Sequence, residues 1–221
     1  MKYVLKITLL LFILSSCKKN NTQDNFILLP TVKNADFTGE SSVFNHESQF
    51  IFYSESNALP VLINKSFKIK RGNKKNHNLS FKINKELNIA DEGYHLNISK
   101  ENIEIIAKDE AGLFYSFNSL NQLITDSKDQ NIDLPVVLIK DYPSLKYRSI
   151  HLDVKHHTEK KDYYFKLIDQ LASIKINGII IEFEDKLGYE RRPTIAAPDS
   201  FSISWWRNLS KYAKDRNIMI S

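Results

Sequence analysis

The chain has 221 residues, with 31 Lys+Arg, 26 Asp+Glu, one Cys and an apolar fraction of 42%. That composition excludes intrinsic disorder, collagen and a polytopic membrane protein, and a lone Cys excludes a disulfide framework or a Cys-rich zinc module. Six glycines, none in G-x-G-x-x-G or P-loop spacing, argue against a dinucleotide or NTP enzyme.

Residues 1–17 read MKYVLKITLLLFILSSC. Lys2 and Lys6 flank the start of an apolar run, Ile7 to Leu14, too short to cross roughly 30 Å of hydrocarbon. This is the pattern of a secretory signal peptide. Its ending, Leu14-Ser15-Ser16-Cys17, resembles the bacterial lipobox. That resemblance implies a mature chain beginning at Cys17, with lipid on its thiol and a membrane as partner through that anchor. The expected location is the bacterial cell envelope, with the leaflet left open. Residues 18–25 read as a polar tether.

Residues 26–140 form the next unit, expected to be an α+β layer in which a small sheet is covered by helices. Gln49–Tyr53 and Leu79–Ile83 have strand character, and Asn57–Lys68 has that of a short helix. Lys68, Lys70, Arg71, Lys74 and Lys75 make the only dense basic run. No aromatics interleave with it, so it reads as a solvated loop and no nucleic-acid partner is expected. Tyr94–Ile98 and Asn102–Ala107 form a predicted hairpin. Leu113, Phe117, Leu120, Leu123 and Ile124 then recur at helical spacing, predicting an amphipathic helix over 111–125.

The period changes near Asp141-Tyr142-Pro143. Tyr147–Val154 reads as a strand, Tyr164–Ile174 as a helix closed by Asn177-Gly178, and Gly178–Phe183 as a strand buried on both faces. A helix over Ile203–Asp215 and a strand from Asn217 follow. The order β-α-β-α-β predicts the start of an α/β fold over 141–221, expected to stop inside its domain because a (β/α)8 barrel needs about 250 residues.

Two stretches resemble glycoside hydrolase family 20, the β-N-acetylhexosaminidases. One is Glu92-Gly93-Tyr94-His95-Leu96 through Ala107, then Ala111-Gly112-Leu113-Phe114-Tyr115-Ser116 and Leu120-Asn121-Gln122-Leu123. The other is Asp141-Tyr142-Pro143 through Tyr147-Arg148-Ser149-Ile150-His151-Leu152-Asp153-Val154. The resemblance implies a TIM-barrel glycosidase that removes terminal N-acetylhexosamine from glycans with retention and substrate assistance. No cofactor is implied. The family's Asp-Glu catalytic pair is expected beyond Ser221, which leaves this stretch inactive alone. The chain departs from the family where Ile181-Glu182-Phe183-Glu184-Asp185-Lys186-Leu187-Gly188-Tyr189 replaces a Trp/His-rich strand end. Rival readings are an O-GlcNAcase-like or α-glucuronidase-like enzyme, or a non-catalytic glycan-binding lipoprotein.

The resemblance makes Arg148 the candidate grip on the sugar 3- and 4-hydroxyls, since a guanidinium fork donates to two neighbouring oxygens. Glu184 and Asp185 end a buried strand, where barrel enzymes build their sites, and are the other candidate substrate-binding residues. Glu182 shares a face with Glu184 and needs a cationic partner, either Arg148 or His151. His156-His157 lacks a third suitably spaced ligand, so no metal is expected. Trp205-Trp206 fits core packing.

Overall fold

The computed structural model describes residues 25–54 and 68–221. The signal peptide, Cys17, nearly all of the tether and all but the last residue of the helix expected over Asn57–Lys68 lie outside the described residues, and Lys68 itself belongs to a strand.

Seven strands build the first layer: β1 (Asn34–Ser41), β2 (Gln49–Ser54), β3 (Lys68–Arg71), β4 (Leu79–Ile83), β5 (Tyr94–Ile98), β6 (Ile103–Ala107) and β7 (Pro135–Asp141). Their order is β1-β7-β5-β6-β4-β2-β3. The sheet is mixed: β2–β3, β2–β4 and β4–β6 run parallel, while β5–β6, β5–β7 and β1–β7 are antiparallel. Alternation decides which face is covered. Leu79, Phe81, Leu96, Ile98, Ile103, Ile105, Val137 and Ile139 are buried on one side, and their neighbours in sequence point to the other. The sheet is therefore larger than the small one expected. The basic run forms the edge strand β3 and the turn after it, not a loop, because an edge strand exposes its side chains much as a loop does.

Helix α1 (Glu110–Gln130) covers the apolar face. Asp109 starts it, accepting from Gly112 N at 2.8 Å through one carboxylate oxygen and from Glu92 N at 2.8 Å through the other. A Cβ at Gly112 would lie 2.4 Å from the Gly93 carbonyl oxygen, so only glycine lets the helix start sit on that backbone. The helix is longer than the 111–125 span expected, and every residue from Gly112 to Leu120 is buried. That stretch is covered all round rather than along one stripe, because a second unit packs on its other side.

That unit contains β8 (Ser149–Asp153), α2 (Lys161–Ser173), β9 (Gly178–Glu182), the short parallel pair β10 (Leu187–Gly188) and β11 (Phe201–Ser202), α3 (Ile203–Lys214) and β12 (Met219–Ile220). Strands β8, β9 and β12 run parallel in the order β12-β9-β8. Ile179 and Ile181 are buried beside the helices, whereas Ile180 is 42% exposed. The expectation that β9 is buried on both faces is thus not met among the described residues. The face carrying His151, Asp153, Ile180 and Glu182 is open.

Polar contacts join the two units. Asn118 Nδ2 donates to Ala172 O at 2.8 Å, and Gln122 Nε2 to Ser173 O at 2.9 Å. Lys175, in a left-handed turn after α2 (φ 63°), sends its buried ammonium to Asp141 at 2.8 Å and to the Tyr94 hydroxyl at 3.0 Å. Tyr94 also bonds Ser119 Oγ at 2.7 Å.

Tyr115 sits in this interface. Burial pushes its hydroxyl up to about 12, with Arg148 opposing the shift and Glu92 adding to it. The raised value makes the folded state bind more protons than the unfolded state between the two pKa values. Its contribution to stability is therefore complete below about pH 10 and is lost as pH rises toward 12. Denaturation midpoints across that range should fall less steeply for Tyr115→Phe than for the wild type. Parallel pH slopes would show that this hydroxyl carries no such linkage.

Candidate functional site

The parallel register pairs Asp153 with Glu182, so β8 and β9 end side by side. His151, Asp153 and Lys155 alternate on one side of the β8 segment, as Ile180 and Glu182 do on β9. Lys155 is the centre of the cluster. Its ammonium lies 2.6 Å from Glu182 Oε1, 3.6 Å from Asp153 and 3.9 Å from Glu184. His151 Nε2 stands 3.3 Å from the other Glu182 oxygen. The hydrogen bond to Glu182, with the surrounding carboxylates, raises the Lys155 pKa against a smaller opposing desolvation. Both Glu182 carboxylate oxygens are thus engaged.

Glu184 and Asp185 lie just past β9 in a 3-10 turn over Glu184–Lys186. Glu184 adopts φ 43°, a left-handed conformation that costs a non-glycine residue and recurs at functional sites. The Tyr189 hydroxyl holds the Glu184 carbonyl at 2.8 Å. Asp185 O accepts from Ala197 N at 2.8 Å, while Lys186 bridges to Asp199 at 2.7 Å. That bridge lowers the Asp199 pKa and raises that of Lys186. The side chains of Glu184 and Asp185 are 61% and 48% exposed, so both carboxylates face solvent at the strand end. Beneath them Trp206 is buried edge-on to Phe183, ring centroids 4.7 Å apart, while Trp205 packs on Phe201.

Arg148 is elsewhere. It precedes β8, at the opposite end of the strands from Glu184 and Asp185. Its Nη2 donates to Glu92 and to the Tyr115 hydroxyl, both at 2.8 Å. Its Nε donates to Lys175 O at 2.8 Å and its Nη1 to Leu145 O at 2.7 Å. A guanidinium committed to four protein partners has no fork left for a sugar. The expectation that Arg148 grips hydroxyls is corrected: it clamps the second unit to the first. Nor does Arg148 partner Glu182. His151 does, and Lys155 was overlooked although it lies two residues beyond Asp153 on the same face. His157 stands 3.1 Å from Glu159. Among the described residues no group of three His, Cys, Asp or Glu is placed to hold a metal.

The chain thus sets a mixed sheet under one long helix ahead of parallel βα units with carboxylates at a strand end. The profile described as "Glycosyl hydrolase family 20, domain 2" matches residues 27–142, and the chain belongs to that family. Over 96 residues it is 35% identical to a beta-hexosaminidase of Vibrio vulnificus, covering 43% of this chain and 11% of that protein. It is 37% identical over 97 residues to an N,N'-diacetylchitobiase of Vibrio harveyi, again 43% of this chain and 11% of the relative. The solved β-N-acetylhexosaminidase of Bacteroides fragilis superposes with a TM-score of 0.74 at 22% identity, over 89% of this chain and 44% of that one. The chain therefore spans about a tenth of these curated relatives and under half of the solved structure.

Proposed function

We propose that this chain is the leading part of an exported exo-β-N-acetylhexosaminidase, with residues 26–140 as its accessory domain and 141–221 opening its (β/α)8 barrel. The observation that carries the reading is the family match over 27–142, running directly into parallel strands β8, β9 and β12. The solvent-open face of those strands becomes the barrel interior, filled by side chains from later strands.

Hydrolysis then proceeds in two steps. The substrate's acetamide oxygen attacks the anomeric carbon as a general acid protonates the departing oxygen. Water next opens the cyclic intermediate with overall retention. The general acid and the carboxylate that steadies the cationic acetamide belong to a pair further along the polypeptide. In this stretch, Glu184 and Asp185 accept hydrogen bonds from sugar hydroxyls at the site rim, and Lys155 fixes the neighbouring carboxylates.

The test is hydrolysis of an aryl N-acetyl-β-glucosaminide by the native protein from its host, beside residues 18–221 alone. The native protein is expected to turn over with retention and residues 18–221 to be inactive, since general acid catalysis alone supplies about 10²–10⁴-fold. Glu184→Gln and Asp185→Asn should raise KM more than they lower kcat. A native protein without turnover, or an active 18–221, would overturn the assignment.

The same proposal places lipid on Cys17, for which the basic start and short apolar run of 1–17 are the support. Mass spectrometry of the membrane fraction is expected to find an acylated amino-terminal Cys17. An unmodified Cys17 still joined to Ser16 would remove the anchor.

A further inference from the structure

We propose that the sheet face turned away from α1 binds an anionic glycan chain. The binding groove runs between Lys74 and His77 of the β3–β4 turn and Tyr53, Lys82 and Glu104 of the sheet. This site lies outside the strand-end cluster, and it stands or falls without the hydrolase reading.

The residues come from four places in the sequence and meet through strand register. Tyr53 pairs with Ser80, and Ser80 with Glu104, so one row crosses three strands, roughly 10 Å at the usual spacing. Lys82 lies two residues further along β4 on the same face. The turn brings in the rest. Gly72 is required there, because a Cβ would stand 2.2 Å from the Asn76 carbonyl oxygen and 2.5 Å from the Ile51 side chain. The Asn73 side chain accepts from Lys75 N at 2.9 Å and Asn76 N at 3.0 Å, which fixes the turn. His77 is thereby held against Tyr53, ring centroids 5.5 Å apart and tilted by 42°. The groove has a volume of about 280 Å³. That is at the small end of ligand sites, so it fits a short segment of a polymer and not a folded partner.

Its charges are available. Lys74 and Lys82 are exposed and have no ion-pair partner among the described residues. Lys68 and Lys70 extend the positive side along the edge strand, registered with Gln49 and Ile51. A chain bearing acid groups gains from these ammonium groups, and an angled two-ring wall suits the apolar face of a sugar. Glu104 in the same groove repels any acid group beside it and accepts sugar hydroxyls, so the acid groups of the chain fall at Lys74 and Lys82. Nucleic acid would need successive stacking platforms, and a lipid surface would need a protruding apolar face. The groove offers neither.

The experiment is calorimetric titration of the full chain with a heparin-derived sulfated oligosaccharide, an oligogalacturonate and a neutral cello-oligosaccharide, which carries no N-acetylhexosamine for the proposed hydrolytic site, at low and physiological salt. Both acidic probes should bind, more weakly as salt rises, and the neutral probe should not. The exposed double variant Lys74→Glu/Lys82→Glu should weaken binding about tenfold or more at unchanged Tm. Tyr53→Ala should weaken it about three- to tenfold. Unchanged affinity in the double variant would overturn the proposal. So would equal binding of phosphatidylglycerol vesicles or single-stranded DNA with no response to Tyr53→Ala. Loss of hydrolysis with these affinities intact would count against the hydrolase reading alone.

Discussion

Asp141→Leu is expected to destabilise the protein by about 3–5 kcal/mol, the cost of stranding one member of a buried ion pair. The side chains of Asp141 and Lys175 are 11% and 7% exposed. Asp141 accepts from the Lys175 ammonium at 2.8 Å, the Tyr94 hydroxyl at 3.1 Å and Lys33 N at 3.1 Å. Removing it leaves the ammonium with only the Tyr94 hydroxyl among these groups. Burial already lowers the Lys175 pKa, and Asp141 is the charge that opposes this. Without Asp141 the folded-state value falls further below the unfolded one. The unfolded state then binds more protons across that window, so the variant should regain stability as pH rises. Urea unfolding at two pH values reads both effects. The double variant Asp141→Leu/Lys175→Met should recover much of the loss, because Tyr94 and Ser119 still satisfy each other. A single-variant loss under about 1 kcal/mol would mean the pair is effectively solvated.

Arg148→Ala is expected to lower Tm strongly while leaving kcat/KM of the native enzyme close to normal in whatever remains folded. Charge-assisted hydrogen bonds contribute roughly 1.5–3 kcal/mol each, and Arg148 makes one to Glu92 besides three to neutral acceptors. These losses do not add fully, so about 3 kcal/mol or more is expected, at roughly 2–4 °C per kcal/mol for a chain of this size. Arg148→Lys should restore little, because one ammonium cannot serve acceptors spread around a planar fork. A fall in kcat/KM of about a hundredfold at unchanged Tm would return Arg148 to the sugar site.

Local pattern carried much of the fold. The β5–β6 hairpin and the β8-α2-β9 succession were legible because each alternates or recurs at its own period. Strand β1 was not, since Asn34–Ser41 lies largely exposed and its two half-buried residues, Ala35 and Phe37, present no apolar run. Strand β7 was hidden by the boundary read at Asp141-Tyr142-Pro143, which falls at its last residue. The far side of α1 was illegible because Tyr115, Ser116, Asn118 and Ser119 have surface character and are buried only by a neighbour distant in sequence. The Arg148 error has a different origin. Its position before the strand already set it away from the strand ends where barrel sites form, and the motif's resemblance outweighed that placement. Lys155 was legible from alternation alone.

The burial of α1 on every side from Gly112 to Leu120 bears on how such a protein can be divided or recombined. A helix with two inner faces belongs to both units at once, so the break in sequence near residue 141 is not a seam along which the molecule separates. A fragment ending there would present Tyr115 and Asn118 to water and leave Asp141 without its ammonium. Grafting the leading unit onto another catalytic scaffold would have to carry the Lys175 turn and Arg148 with it. The heritable module is the sheet, the helix and the first βα unit together.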